Sequence, residues 1–180
     1  MQDGCFHLSL CRMKKKITIG FFSTIFFALL GIQWIETKPN DSASDSLDIA
    51  KGFSTSYRVN QLLHNACYDC HSNSTKYPWY AQYQPLGWYL EDHINEGKRH
   101  LNFNNFLGYR PWKQLHKMEE VIEMLEEKGM PLQSYTWLHE NAKMDSIDRK
   151  SMILWAEGVM DSLGHLYPKD SLINPRKREK

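Results

Sequence analysis

Residues 67–71 read Cys67-Tyr68-Asp69-Cys70-His71, and the reading of these five residues decides the rest of the chain. On a helical turn, positions i and i+3 face the same way. Cys67 and Cys70 therefore present their thiols on one side, and His71 follows directly. C-x-x-C-H is the attachment signature of c-type haem. The two sulfurs form thioethers to one porphyrin edge, and the imidazole lies under the iron as proximal ligand. Covalent attachment removes the need for a large enclosing pocket. That suits a small domain, in which the haem supplies much of the core.

C-x-x-C by itself also occurs in redox and zinc proteins. A thioredoxin-like pair would sit in a βαβ context, and no such pattern is present. A zinc site would need four ligands, for example Cys67, Cys70, His71 and one further histidine. The chain has neither a second C-x-x-C nor a spaced H-x-x-x-H pair. A disulfide between Cys67 and Cys70 would close a very small loop. Haem is the preferred reading, and a zinc-binding interaction module is kept as an alternative.

Upstream of the motif, Lys14-Lys15-Lys16 precede an uncharged run from Ile17 to Ile35, 19 residues long. A membrane-crossing helix needs about 20 apolar residues. A signal-peptide core is about 7–15 long and ends in an A-x-A-like site, and no such site follows Ala28. Residues 1–35 are therefore expected to be a basic segment and an uncleaved signal anchor, with Met1 and Met13 both open as the start. Arg12 and the lysines should stay in the cytoplasm by the positive-inside rule. The chain is then a single-pass inner-membrane protein, with everything after the helix in the periplasm. The remaining cysteines, Cys5 and Cys11, precede the run and would lie across the membrane from the motif. At 180 residues and net charge +1, the chain has room for one domain plus appendages, and no overall field favours nucleic acid.

Residues 36–54 are rich in Pro, Asn, Asp and Ser and read as a flexible linker. The folded domain should cover residues 55–167, and 168–180 form a polar tail. Inside the domain the apolar spacing predicts helices, not strands. One spans 57–70, with Val59, Leu62, Leu63 and Ala66. A second spans 86–98 after Pro85. The clearest stripe lies in 113–128, with Leu115, Met118, Val121, Ile122 and Leu125, stopped by Gly129 and Pro131. The last helix starts with Asp145 or Ser146 as N-cap, carries Met152, Trp155, Ala156, Val159 and Leu163 inward, and should stop at Gly164. Residues 71–85 read as an irregular loop.

The sixth iron ligand is expected to be Met130, in Gly129-Met130-Pro131-Leu132. A Met-Pro loop after a helix presents a thioether stiffly, and Met opposite His raises the reduction potential. His93, on the inner side of the second helix, is the alternative distal ligand. His100, His116 and His139 rank below it. Tyr77, Trp79 and Tyr80 stand just after the motif, where hydroxyl and indole N–H groups can meet haem propionates while their rings pack on the macrocycle. Arg110 can pair with a propionate.

These stretches carry a resemblance. Cys67-Tyr68-Asp69-Cys70-His71-Ser72-Asn73, Thr75-Lys76-Tyr77-Pro78-Trp79-Tyr80, His93-Ile94-Asn95-Glu96-Gly97-Lys98 and Leu101-Asn102-Phe103 resemble the haem-binding domain family of bacterial cytochrome c-like proteins, frequent in the Bacteroidetes group. Met130-Pro131-Leu132, Tyr135, Leu138-His139 and Trp155-Ala156 continue it. The resemblance implies an all-α, cytochrome c-like helical domain wrapped around one covalent haem c, exported or membrane-tethered and preceded here by the membrane helix. It carries over Cys67 and Cys70 as attachment points and His71 as axial ligand. No acid–base pair, nucleophile elbow or phosphate loop stands out. The expected function is electron transfer between redox partner proteins rather than enzymatic turnover. A peroxidase-like haem enzyme or a gas or redox sensor is the alternative, and it requires an open sixth position.

Overall fold

The computed structural model describes residues 3–42 and 44–178, with side chains from Lys15 to Arg176. The side chains of Cys5, Cys11, Arg12 and Lys14, and the last two residues of the tail, lie outside the described residues. Helix accounts for 71% of the chain, and among the described residues there is no strand. One antiparallel bridge, between Asp41 and Ser74, is the exception to the helical pattern. The expected all-α class is therefore observed.

The chain divides into two compact units, Met1–Lys38 with Pro78–Glu91, and Pro39–Tyr77 with Asp92–Lys180. The first contains α1 (Asp3–Gly31), prolonged by a 3-10 turn over Ile32–Trp34. Its segment Lys15–Trp34, 20 residues of mean hydropathy 1.7, is long and apolar enough to cross a membrane. None of that segment is buried against other residues. The other piece of this unit holds a 3-10 turn at Trp79–Gln82 and the start of α5 (Leu86–His100).

The second unit carries the core. It contains α2 (Ile49–Gly52), α3 (Tyr57–Ala66), α4 (Tyr68–His71), the end of α5, a 3-10 stretch at Phe103–Gly108, and α6 (Pro111–Glu126). Then come α7 (Gln133–Leu138), α8 (Ser146–Leu166) and α9 (Pro175–Arg178). Helices α6 and α8 pack along one another. They bring Met118 and Leu125 into one cluster with Met152, Trp155, Ala156, Val159 and Leu163. Helix α3 adds Val59, Leu62 and Leu63. It is capped by Ser56, whose hydroxyl accepts from the Val59 amide. Asp145 caps α8 by accepting from Asp148 N at 2.7 Å, as its sequence position predicts.

Four local expectations change. The helix expected over 57–70 is two helices, because Cys67 leaves helical backbone at φ −123°, ψ −47°. Helix α8 runs through Gly164 to Leu166. Glycine costs about 1 kcal/mol in a helix, and the burial of Leu163 on the preceding position outweighs that preference. Helix α6 closes one residue before its glycine. Lys128 takes φ 57°, while the Lys128 and Gly129 amides donate to the Leu125 and Met124 carbonyls. This is a Schellman closure with lysine in the left-handed position. The segment read as a linker is fastened down. Asn40 Nδ2 donates to the Ser72 carbonyl and Thr75 Oγ1, Ser42 N donates to the Asn73 carbonyl, and Ile49 and Phe53 are buried. Two of its polar side chains, Asn40 and Asp48, bond to groups distant in sequence.

Candidate functional site

The site begins with the turn Cys67–His71. The Cys67 carbonyl accepts from the amides of Cys70 at 3.2 Å and His71 at 2.9 Å. That closes one helical turn and puts the two half-buried thiols three positions apart on it. Both cysteines are free thiols. Burial pushes the Cys67 thiol up to about 12 and the Cys70 thiol up to about 11, with Cys70 and Asp69 respectively adding their charge effects. Thiols so buried stay protonated at neutral pH.

His71 Nδ1 lies 2.9 Å from the Leu101 carbonyl. A carbonyl can only accept, so Nδ1 carries the proton and Nε2 keeps its lone pair. Desolvation lowers the His71 pKa, opposed by the carbonyls of Leu101 and Gly97, and His100 and Lys117 lower it further. The imidazole is held neutral and oriented, as a metal-ligating histidine must be. Phe103 sets its edge to the His71 ring at 6.3 Å between centroids and stacks on Tyr68 at 5.5 Å.

Helix α5 approaches this turn through Gly97. A Cβ added there would stand 2.6 Å from the Cys70 carbonyl oxygen, closer than any side chain can be accommodated. The approach has a function: it brings the Leu101 carbonyl to His71, and His93, four residues before Gly97, to the same face.

The residues after the motif are anchored by a buried polar network. Asn73 N donates to Asn104 Oδ1 at 2.7 Å, and Asn102 Nδ2 donates to Asn73 Oδ1 at 2.7 Å. Asn104 Nδ2 and the Tyr68 hydroxyl both donate to the buried Asp48 carboxylate, at 2.6 and 3.0 Å. Tyr68 stays protonated, since burial and then Asp48 push its pKa upward. Asp69 is tied on two sides, accepting from Tyr135 Oη at 2.6 Å and from Lys76 N at 3.0 Å. Both variable positions of C-Y-D-C-H are thus held by named partners.

The turn, with Asp69, Gly97, Leu101, Phe103 and Tyr135, borders one cavity of about 520 Å³, within the usual range of roughly 300–1,000 Å³ for cofactor sites. Cys67, Cys70 and His71 line it together with both sixth-ligand candidates, Met130 and His93. Met124, Met144 and Met152 line it as well, and the sequence reading did not single them out as site residues. On α6 the lining residues Lys117, Glu120, Val121 and Met124 repeat at helical spacing. Lys117 is buried there and pairs with Glu120. Tyr77 and Arg110, in the same unit as the cavity, do not line it. Tyr77 receives the Asn40 amide on its hydroxyl, Trp79 and Tyr80 belong to the first unit, and Arg110 caps α6.

The donor set therefore fits haem: two thiols on one turn, an imidazole of fixed tautomer, a thioether and a second imidazole within one apolar-walled cavity. Among the described residues no three His, Cys, Asp or Glu side chains converge to hold a metal ion. No curated protein and no solved structure matches the chain. The model of the haem-binding domain family matches residues 27–158, most of the chain, so this protein belongs to the haem-binding domain family and haem is its cofactor.

Proposed function

We propose that the protein is a membrane-anchored, c-type mono-haem electron carrier. The observation that carries this reading is the meeting of Cys67, Cys70, His71, Met130 and His93 in one cavity. Cys67 and Cys70 would hold the haem through thioethers, each S–H adding across a vinyl group with its proton going to carbon and no net redox change. His71 would hold the iron through Nε2 while the Leu101 carbonyl keeps its other nitrogen protonated. Met130 would supply a second iron ligand, and the apolar lining would limit water at the metal. When bound, haem supplies a one-electron couple.

Helix α1 anchors the domain. The lysines at the start of the apolar span favour cytoplasm on that side, and the haem domain then works at the outer face of the inner membrane with redox partner proteins. This orientation agrees with attachment of c-type haem outside the cytoplasm.

The test is expression beside a haem-attachment system. The expected product keeps its visible spectrum and its haem on a denaturing gel, and a Cys67→Ala, Cys70→Ala variant loses covalent haem. A sulfur-to-iron charge-transfer band is expected in the parent and lost in Met130→Ala. A coloured parent without that band would move the sixth position to His93 or leave it open, which favours the peroxidase-like or sensor reading. A colourless chain with two reactive thiols would end the proposal.

A further inference from the structure

The cavity accounts for the second unit but leaves the first unit with an unused feature. From Pro78 to Leu90 the chain has no charged residue and reads Pro-Trp-Tyr-Ala-Gln-Tyr-Gln-Pro-Leu-Gly-Trp-Tyr-Leu. This stretch is fastened to the end of α1 through side chain and backbone. Gln33 Nε2 donates to the Gln84 carbonyl at 2.9 Å, and the Gln84 amide donates back to Gln33 Oε1 at 3.0 Å. Gln84 Nε2 donates to the Ile35 carbonyl at 3.2 Å, and Gln84 Oε1 accepts from Trp88 N at 3.0 Å. Gln84 is buried and fully engaged. Gly87 lets the Trp79–Gln82 turn fold tightly onto the start of α5, since a Cβ there would stand 2.4 Å from the Ala81 carbonyl.

The inner side of this stretch is closed, with Ala81 and Leu90 buried. Its outer side is not. Trp79 is 75% exposed and Tyr83 and Tyr89 are 57% exposed, beside Trp34 at 84%. Leu86 and Ile35 are exposed too. For a water-facing surface this would be an anomalous concentration of large apolar rings.

Depth explains it. A 20-residue span at about 1.5 Å per residue covers about 30 Å, the thickness of a bilayer's hydrocarbon core. Trp34 is its last residue and Gln33 the one before. Gln84 sits within hydrogen-bond reach of that last turn and therefore at the level where the bilayer meets water. Trp and Tyr favour that level, with rings among acyl chains and N–H or O–H groups toward the headgroups. The Gln33–Gln84 pairing also satisfies amides that would be costly to leave unpaired there.

We propose that Pro78–Leu90 is an aromatic collar seated in the membrane interface around the exit of α1. The occupant of this surface is a lipid bilayer, not a protein. The collar gives the anchor a second contact with the membrane and holds the start of α5 at a defined depth. It rests on the reading of α1 as a membrane span.

The test uses the full chain in vesicles of phosphatidylethanolamine and phosphatidylglycerol. These are doped with phosphatidylcholine bearing a photoactivatable diazirine at a shallow or a terminal acyl carbon. After irradiation and trypsin digestion, adducts are mapped by mass spectrometry. The peptide 77–98 contains the collar, 17–51 most of the span, and 129–143 contains Trp137, which is 73% exposed. The expected result is shallow-probe labelling of 77–98 severalfold above 129–143, with terminal-probe labelling concentrated in 17–51. Labelling of 17–51 without 77–98 overturns the collar and leaves the anchor standing. Labelling of neither overturns both. Equal labelling of 77–98 and 129–143 shows a probe that follows exposure alone, and also overturns the collar.

Discussion

Around the turn Cys67–His71 the cavity is walled by backbone. The Leu101 carbonyl fixes one imidazole nitrogen, Gly97 lies against the Cys70 carbonyl, and Phe103 fills the angle between His71 and Tyr68. The lining drawn from α6, α8 and the loops beside them is instead side chain, with Met124, Met130, Met144 and Met152 all contributing. Methionine has several rotatable bonds and a polarizable sulfur, and it fills irregular space adaptably. The contrast is between a part whose geometry is imposed and a part whose volume matters more than its shape. The first should be intolerant of substitution and the second tolerant.

The largest expected difference comes from Phe103. It is 2% exposed and also packs toward Trp155. Phe103→Ala should cost about 3–5 kcal/mol, the range for emptying an aromatic site in a core. Met124→Leu or Met144→Leu conserves volume and should cost less than about 1.5 kcal/mol. Urea unfolding of the chain in detergent, compared at unchanged slope, measures both. Equal losses would erase the distinction between the two parts.

Thiol chemistry probes the imposed part next. In the haem-free chain, burial raises Cys67 and Cys70 from an ordinary 9.0 to about 12 and about 11. The thiolate is the species that alkylates. At pH 8, Cys70 should react on the order of 100-fold more slowly in the folded chain than in urea, and Cys67 more slowly still. The sign follows from linkage: a thiol whose folded pKa is raised contributes stability that is complete below pH 9.0 and is lost as pH climbs through about 11 and 12. Mass-resolved alkylation across that window checks both rate and stability. Equal rates folded and unfolded would mean that the turn does not bury its sulfurs.

A pair of glycines then separates the two parts by steric contact alone. Gly97→Ala forces a Cβ to 2.6 Å from a backbone oxygen, where nothing flexible can yield. It should cost about 1–3 kcal/mol, as overpacking does, and lower haem incorporation with it. Gly129→Ala meets the Met124 sulfur at 3.4 Å and the Met124 carbonyl oxygen at 3.8 Å, both ordinary contact distances. Its change in stability should be close to zero. If the two alanines behaved alike, the Gly97 approach would not be what sets the His71 carbonyl partner.

Much of this was readable in the chain. The five-residue motif, the apolar run before it and the stripes of α6 and α8 depend on local spacing, which one sequence displays. His93 and Met130 were named from spacing and loop chemistry, and both reach the cavity. The break at Cys67 was not readable, because a helical apolar pattern continues straight through it. Asn40 and Asp48 fell in the stretch read as a linker, and the asparagines at 73, 102 and 104 were given no structural role, since composition cannot reveal that polar side chains will bond one another across long loops. Tyr77 was grouped with the motif by nearness in sequence and Arg110 by its charge, and neither lines the cavity. Gly97 did carry a signal: His93, Gly97 and His100 fall on one helical face, with the smallest residue in the middle.

The smallest expected effect lies where α6 hands the chain to Met130. Lys128 takes a left-handed φ of 57°, and a residue with a Cβ pays roughly 1–2 kcal/mol for that conformation. Glycine enters it freely but widens the unfolded ensemble, which returns part of the gain. Lys128→Gly should therefore stabilise the chain by about 0.5–1 kcal/mol. The turn's hydrogen bonds, from Lys128 N to Leu125 O and from Gly129 N to Met124 O, involve backbone only and survive the change. The Met130 carbonyl keeps its bond from Arg149 Nη1 at 2.9 Å, so the thioether should stay where it is. A raised urea midpoint with an unchanged charge-transfer band would show that this loop is held by its closure and by Arg149 rather than by its lysine. A stabilised chain whose band shifted would mean instead that the backbone at position 128 aims the sulfur, and the adaptable part of the cavity would then be as strictly placed as the turn it faces.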